Sequence, residues 1–503
     1  MMKNQSLKTL AVILSVILLA IQLFSCGDKT ESSATLSDTT ASIDSDAEGE
    51  TTTESEETAP DYDPKIAPYD SGRHIFNILY NGNDFEPNLD FAAAELNGEA
   101  LNDAIFMRNS KLNEKYNMEI KAKFKDDSSI VSSVSKAVKA GTPDFDIVEV
   151  NGNYSMNLAI AGVSCDLDDI PYIDFEKPYW NSFMLDGSSI GGKNYFVYGD
   201  MNIHALGATP CTLFNKVVHA NYGFEDLYTI VREGHWTFDS MGEMIKAVTS
   251  DLDGDGKITQ LDTLGFIGNT FVIDCFLSGT GYQTIPKDEN DLPYLAIDTP
   301  EYINIVDAIV TLCKYDNGTY ICDRYAGVDR EYAPMDALAA DRALFWIANL
   351  KGVERMRNMI SDFGIVPIPK LNEIQQDYKI HYQANIGAAI SIPLVVADQD
   401  LVGMVLEDCA YMSNQEVQPA YIETLLKGKF LRDDASEETM RIMLSSYYAD
   451  LGFMLNGQGI DILSQLRTLV SKESTDVASK IAKSNTSYQK KLEKVIATYE
   501  NAE

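Results

Sequence analysis

Two apolar runs, each stopped by an Asn-Gly-Asn turn, constrain the fold of this chain most. His74–Tyr80 (HIFNILY) ends at Asn81-Gly82-Asn83, and Asp144–Val150 (DFDIVEV) ends at Asn151-Gly152-Asn153. Short runs rich in Ile, Val and aromatic residues, bounded by turn formers, read as buried strands. Between them the periodicity predicts a helix over Leu101–Tyr116, an alternating strand over Met118–Phe124, and a helix over Ser129–Ala140 closed by Gly141. Strands alternating with helices predict βαβ units and a mostly parallel sheet. Ligands of such open sheets bind outside the carboxyl ends of the strands. The turns Asn81–Asp84 and Asn151–Tyr154 stand at two such ends.

Further along, Tyr172–Trp180 is a loop dense in aromatic residues. The turn Gly191-Gly192-Lys193 introduces a strand over Asn194–Tyr198, and Leu206–Phe214 reads as extended. Trp236-Thr237-Phe238-Asp239 leads into a helix over Ser240–Val248, with Thr237 or Asp239 as its cap. Val402–Lys427 and Glu437–Leu466 read as amphipathic helices.

The head of the chain predicts its compartment. Lys3 and Lys8 precede an apolar run over Leu10–Leu23, the pattern of a secretory signal and too short for a comfortable membrane span. Leu23-Phe24-Ser25-Cys26-Gly27 resembles the lipobox of bacterial lipoproteins, in which the Cys is lipidated. Residues 1–25 are therefore expected to be a signal peptide, and 26–71 a lipidated Cys26 followed by a disordered, acidic, Ser/Thr-rich tether. The formal net charge of −36 argues against nucleic acid and against anionic lipid surfaces as partners. The six other cysteines have no CxxC spacing, which speaks against a zinc or redox site. Cys313 and Cys322 flank a turn, and both a bridge and buried thiols stay open.

The most specific short motif is Asp251-Leu-Asp253-Gly-Asp255-Gly256-Lys257-Ile258-Thr259-Gln-Leu-Asp262. It has the spacing of an EF-hand loop, in which carboxylates two residues apart converge on a hard cation and a glycine makes the sharp turn. Asp251, Asp253, Asp255, the Lys257 carbonyl, Thr259 and Asp262 are the candidate Ca²⁺ ligands, with Asp262 standing where Glu is usual. The expected role is structural.

The order of several longer segments resembles the bacterial extracellular solute-binding protein family 1, the maltodextrin-binding-like receptors of ABC importers. Lys193–Val218 is similar to the family's hairpin and lobe-crossing strand, and His235–Val248 to its Trp-Thr-Trp-Asp helix start. Met335–Arg357 is similar to its segment of small residues, apolar strand and helix. Asp362–Lys370 resembles its Gly-x-x-Pro-x-Pro-Lys strand, and Ile386–Leu394 its second crossing. The resemblance implies an α/β, two-lobed, periplasmic-binding-protein-like fold (class II, Venus-flytrap) with a hinge of crossing strands. Lobe 1 would hold 72–203 plus 390–430, and lobe 2 would hold 207–386 plus 435–503. The hinge would lie near Ile203–Leu206, Gly387–Ile390 and after Lys429. It implies a ligand site at Tyr80, Asn81, Asn83, Asp84, Asn151, Asn153 and Tyr154 of lobe 1 and at Asn349 and Lys351 of lobe 2. Trp180, in its Pro-containing aromatic loop, is the tryptophan expected to stack on the ligand, whereas Trp236 and Trp346 read as packing residues.

The function so implied is a monomeric, lipid-anchored, extracytoplasmic receptor. It would bind a small solute, a sugar or oligosaccharide, and deliver it to the membrane subunits of an ABC importer. Two other classes compete. A surface protein that captures polysaccharide without transport would share the tether and the calcium loop. A lipid-anchored glycoside hydrolase would need two carboxylates across a scissile bond, and no context marks such a pair. HExxH and Walker patterns are absent from the sequence, which favours a binding protein over an enzyme.

Overall fold

The run His74–Tyr80 folds as the expected strand, β1, and organises the first of two main sheets in a computed structural model. Residues 62–81, 90–383, 386–427 and 434–501 are described, and Pro64–Glu503 forms one unit. Cys26, Asn83, Asp84 and the expected hinge stretch after Lys429 lie outside the described residues. The strands are β1 (His74–Tyr80), β2 (Met118–Phe124), β3 (Ile147–Asn151), β4 (Pro210–Asn215), β5 (Leu264–Gly268), β6 (Thr319–Ile321), β7 (Ala343–Asn349), β8 (Phe363–Val366), β9 (Ile380–His381), β10 (Ala388–Ser391) and β11 (Tyr447–Tyr448). The first sheet has the order β10-β3-β1-β2, with β1 parallel to both β2 and β3 and β10 antiparallel to β3.

The helices Ala100–Tyr116 and Asp127–Ala140 cross over this sheet, ending in left-handed Asn117 and Gly141. β3 starts later than its apolar run because Asp146 is used otherwise. Its carboxylate accepts the Asn77 N–H at 2.7 Å and lies 2.8 Å from His74 Nε2, which ties the approach to β3 onto β1. Asn194–Tyr198, expected as a strand, contributes one antiparallel bridge, in which Val197 and Ile390 exchange two backbone hydrogen bonds of 2.9 Å. Against this lobe pack the helices Gln399–Met412 and Gln418–Lys427, joined through a wider turn over Ser413–Val417. Tyr116 donates to Asp408 across that contact at 2.6 Å.

The second sheet is mixed, with the order β6-β5-β7-β4-β8. β4 runs antiparallel to β7 and β8, while β5 is parallel to β6 and β7. β4, β5 and β7 are buried along their whole length, as strands covered on both faces must be. The helix Phe238–Val248 packs so tightly on β5 that a Cβ at Gly265 would collide with the Ile245 backbone. Thr237 forms a capping box with Ser240, one of the two caps expected.

Two expectations change. Leu206–Phe214, read as extended, is a strand only from Pro210, and Leu206 and Gly207 close a short helix, Ile203–Gly207, at the first crossing. Its first-turn N–H at His204 is taken by Asp90 Oδ1 at 2.8 Å rather than by a strand partner. Glu437–Leu466 is not one helix. Tyr447-Tyr448 pairs in parallel with β9, and Gly457 and Gly459 adopt left-handed φ of 92° and 81°. The C-terminal helix Val477–Glu500 packs on the second lobe's helix Pro300–Leu312 and also reaches the first lobe. There Tyr499 lies 3.4 Å from Met156 Sδ and edge-on to Tyr195 at 4.8 Å.

Candidate ligand-binding site at the crossings

The carboxyl ends of β1 and β3 meet through their asparagines. Asn81 Nδ2 donates to Asn151 Oδ1 at 3.0 Å, and the Asn151 N–H donates to Asn81 Oδ1 at 3.3 Å. The next residue, Gly152, donates its N–H to Gly387 O at 3.1 Å, so the end of β3 is fastened to the second crossing.

Beside this junction lies a buried charged cluster. Glu149 of β3 is 1 % exposed and accepts from Asn202 Nδ2 at 3.0 Å, while Asp90 is 2 % exposed. The two carboxyls are hydrogen-bonded to one another, and burial raises both, Asp90 to about 6 and Glu149 well above the carboxylate range. Two buried carboxyls in contact cannot both ionise cheaply, so the pair holds a shared proton. Arg108 stands next to them with a fully buried side chain. Its guanidinium donates to Asp90 O at 2.5 Å, to Ser413 Oγ at 3.0 Å and to Asn109 Oδ1, and lies 4.7 Å over the Phe91 ring. His204 joins the first crossing to both lobes. Besides the Asp90 contact, its Nε2 is 3.0 Å from Ile386 O and its Nδ1 is 3.2 Å from Lys351 Nζ. A carbonyl only accepts and an ammonium only donates, so the ring carries its proton on Nε2.

A row of aromatic rings continues across the crossing. Tyr198 meets Tyr382 at 4.3 Å between centroids, Tyr382 meets Tyr447 at 6.1 Å, and Phe183 stacks on Tyr447 at 5.4 Å. The Tyr447 hydroxyl contacts Thr209 Oγ1. The Tyr421 hydroxyl and the Lys351 side chain both border Gly207 of the first crossing. Hydroxyls, amides, carboxyls and apolar ring faces thus converge where the two lobes join.

The expected residues fall into distinct groups. Asn81, Asn151, Asn153 and Lys351 lie at the junction. Tyr80 packs edge-on to Phe124 at 5.8 Å, and Tyr154 packs against the first-lobe core. Asn349 caps the helix Leu350–Arg355 by accepting the Gly352 N–H at 2.7 Å. Trp180 is corrected. It is 3 % exposed, its indole N–H donates to Glu407 at 2.8 Å, and Phe175 and Tyr179 flank it. A ring enclosed in this way offers no face to a solute. Trp236 donates its N–H to Pro367 O at 2.8 Å, and Trp346 is buried in β7. Asp90, Arg108, Glu149, Asn202, His204, Tyr198, Tyr382 and Tyr447 were not expected. The one local signal was Glu149, a carboxylate inside an otherwise apolar strand.

In the acidic loop, Asp251, Asp253 and Asp255 each bring a carboxylate oxygen within 4.8 Å of the others. Gly254 and Gly256 take φ of 75° and 80°, and Asp251 accepts both of their N–H groups at 2.7 and 2.8 Å. Asp262 is buried and turned to the backbone. It accepts from Leu252 N at 2.8 Å, Thr259 N at 2.7 Å and Thr259 Oγ1 at 3.0 Å. It braces the loop instead of converging with the other three carboxylates. The six cysteines within the described residues are buried free thiols, so Cys313 and Cys322 do not bridge.

No family model and no curated protein sequence matches the chain. Solved structures do. An ABC transporter solute-binding protein from Thermotoga lettingae bound with α-D-tagatose is similar over 83% of this chain and 100% of its own, with a TM-score of 0.54 and 14% identity. A Mycobacterium tuberculosis protein in complex with glycerophosphocholine is similar over 85% of this chain and 100% of its own, with a TM-score of 0.54 and 15% identity. A family 1 extracellular solute-binding protein from Bifidobacterium longum subsp. infantis is similar over 82% and 99%, with a TM-score of 0.53 and 12% identity. The chain shares their two-lobed α/β fold.

Proposed function

We propose that this chain is the solute receptor of an ABC importer, holding a sugar or oligosaccharide between its lobes. The observation that carries this reading is the junction itself. Neutral polar side chains and tyrosine faces gather at the carboxyl ends of the first-lobe strands, against both crossings, in a fold shared with solute-binding proteins. Apolar ring faces suit the C–H faces of a sugar, while amides and hydroxyls suit its hydroxyls. A solute placed there touches both lobes only when they are closed, so binding shifts the open–closed equilibrium. The closed form is what the importer's membrane subunits would recognise. The chain binds and releases its solute unchanged.

The test is a thermal melt of the purified full chain against mono- and oligosaccharides. A ligand at 100 times its Kd stabilises by about 2.7 kcal/mol, which is readily seen. Retention on insoluble polysaccharide with no response to short sugars would instead favour surface capture. Hydrolysis of a bound oligosaccharide would favour an enzyme.

Two finer features belong to the same proposal. Cys26 carries the lipid anchor, on the strength of the Ser25-Cys26-Gly27 context behind an apolar run. Cys26→Ala should move the protein from the membrane fraction to the medium. No helix among the described residues is long and apolar enough to cross a membrane. The acidic loop holds Ca²⁺ through Asp251, Asp253 and Asp255 with the Lys257 carbonyl, which suits a hard cation. Calcium should raise the melting temperature relative to chelator, and Asp253→Asn should remove most of that rise. Equal melts with and without calcium would end the metal reading.

A further inference from the structure

We propose that the Gln383 amide, the Tyr198 and Tyr382 hydroxyls and the Asn153 carbonyl oxygen form the hydrogen-bonding lining for an uncharged, hydroxyl-rich solute. This rests on the receptor reading above and assigns the residues and the charge class. Gln383 is 2 % exposed, and neither its amide oxygen nor its amide nitrogen has a hydrogen-bond partner among the described residues. Tyr198 and Tyr382 are both buried, and both hydroxyls are likewise without a partner among the described residues. Asn153 Oδ1, in the first turn of the helix Gly152–Ile160, is a further such atom.

These residues belong to one place. Tyr198 and Tyr382 are in ring contact at 4.3 Å, and Gln383 follows Tyr382 in the second crossing. Gln383 O accepts the N–H groups of Ile386 and Gly387 at 3.0 and 2.7 Å. The Gly152–Gly387 hydrogen bond brings the start of the Asn153 helix to the same turn. Burial above all raises the Tyr382 hydroxyl, and Tyr198, Tyr447 and the carboxyls of Asp90 and Glu149 add to it, so the lining adjoins the buried charged cluster.

Buried polar atoms in proteins are almost always paired, because an unpaired one bears its full desolvation cost. A group of them where two lobes meet is explained if a solute completes them. The charge class follows from what is already engaged. Asp90, Glu149, Arg108, His204 and Lys351 interact with one another or with neighbouring groups. What remains unpaired is an amide with donors and an acceptor, hydroxyls, and an amide oxygen, all neutral. Such a lining matches a polyol and gives no counter-charge to a phosphate or an ammonium group.

The test melts the full chain as wild type, Gln383→Leu and Tyr382→Phe, first without ligand. It is then repeated with uncharged saccharides from glucose to maltotetraose, and with glycerophosphocholine as the charged comparator. Without ligand, both variants should melt within about 1 °C of wild type or above it, since each loses an unpaired buried polar group. With the saccharide that stabilises wild type, each should bind at least about tenfold more weakly, the loss of one good hydrogen bond. A ligand-free drop of more than about 3 °C in both variants would mean that the atoms are paired within the protein, overturning the lining. Unchanged saccharide affinity in both, or stabilisation of wild type by glycerophosphocholine alone, would also overturn it. Tyr382→Phe removes a single oxygen and carries the test if Gln383→Leu fails to fold. A wild type that answers to no probe sinks the sugar-receptor reading, and the ligand-free melts then decide the lining.

Discussion

Asp90 and Glu149 illustrate how single residues acquire a role through distance alone. Each is an ordinary carboxylate in the sequence, and each becomes half of a proton-sharing pair once buried against the other. Asp90 is raised from its usual value near 3.8 to about 6 in the folded chain. A group raised by folding contributes stability that is fully present below its unfolded value and is lost as pH rises through its folded value. Stability should therefore fall between about pH 4 and pH 7 by an amount on the order of 1–3 kcal/mol. Asp90→Asn should flatten that part of the profile. Denaturant titrations of both proteins at pH 5 and pH 7.5 measure it, and parallel slopes would refute the shared proton. His381 acts in the opposite sense and is left unchanged in this comparison. Burial lowers it to about 3, so its contribution is present above its usual 6.5 and is lost as pH falls.

At the scale of elements, the aromatic loop after Tyr172 is held by one carboxylate. Glu407, on the helix Gln399–Met412, accepts from the Tyr179 hydroxyl at 2.6 Å, the Trp180 indole at 2.8 Å and the Asp174 N–H at 3.2 Å. Glu407→Ala strands three donors, two of them on buried side chains, and should cost about 3 kcal/mol or more by chemical denaturation. Glu407→Gln retains acceptor capacity at its oxygen and should cost less. Equal losses would show that the contact packs without bonding. The same loop explains why Trp180 misled the sequence reading. A Pro-containing aromatic loop suggests a stacking platform, but the acceptor that encloses the indole lies more than 200 residues away (Glu407 to Trp180). The elements legible in the sequence, such as β1, β3 and the helix capped by Thr237, are those whose pattern repeats locally. The short helix Ile203–Gly207 and the break at Tyr447-Tyr448 answer to partners elsewhere, Asp90 and β9.

At the scale of the whole molecule, two sheets of different topology share a junction crossed by the chain near His204 and Ile386. The C-terminal helix adds a second link by placing Tyr499 against Met156 and Tyr195. Closure on a solute should shrink the molecule, so small-angle scattering should give a lower radius of gyration with a saturating saccharide than without. An unchanged radius together with clear binding would mean that the solute enters lobes already closed.

The sequence by itself determined the alternation of strands and helices, the two turns at the strand ends, the loop of regularly spaced aspartates and the order of segments that implies a two-lobed receptor. These depend on periodicities of a few residues, which a single chain displays directly. Only the tertiary structure decided that Asn81 and Asn151 form a pair and that Asp90, Arg108, Glu149 and His204 make one buried cluster. It also turned Asp262 to its own loop and placed Tyr382 and Gln383 at the junction. Those relations join residues tens to hundreds of positions apart, and burial in a medium of low dielectric gives them their energies. No local pattern encodes either the partner or the burial.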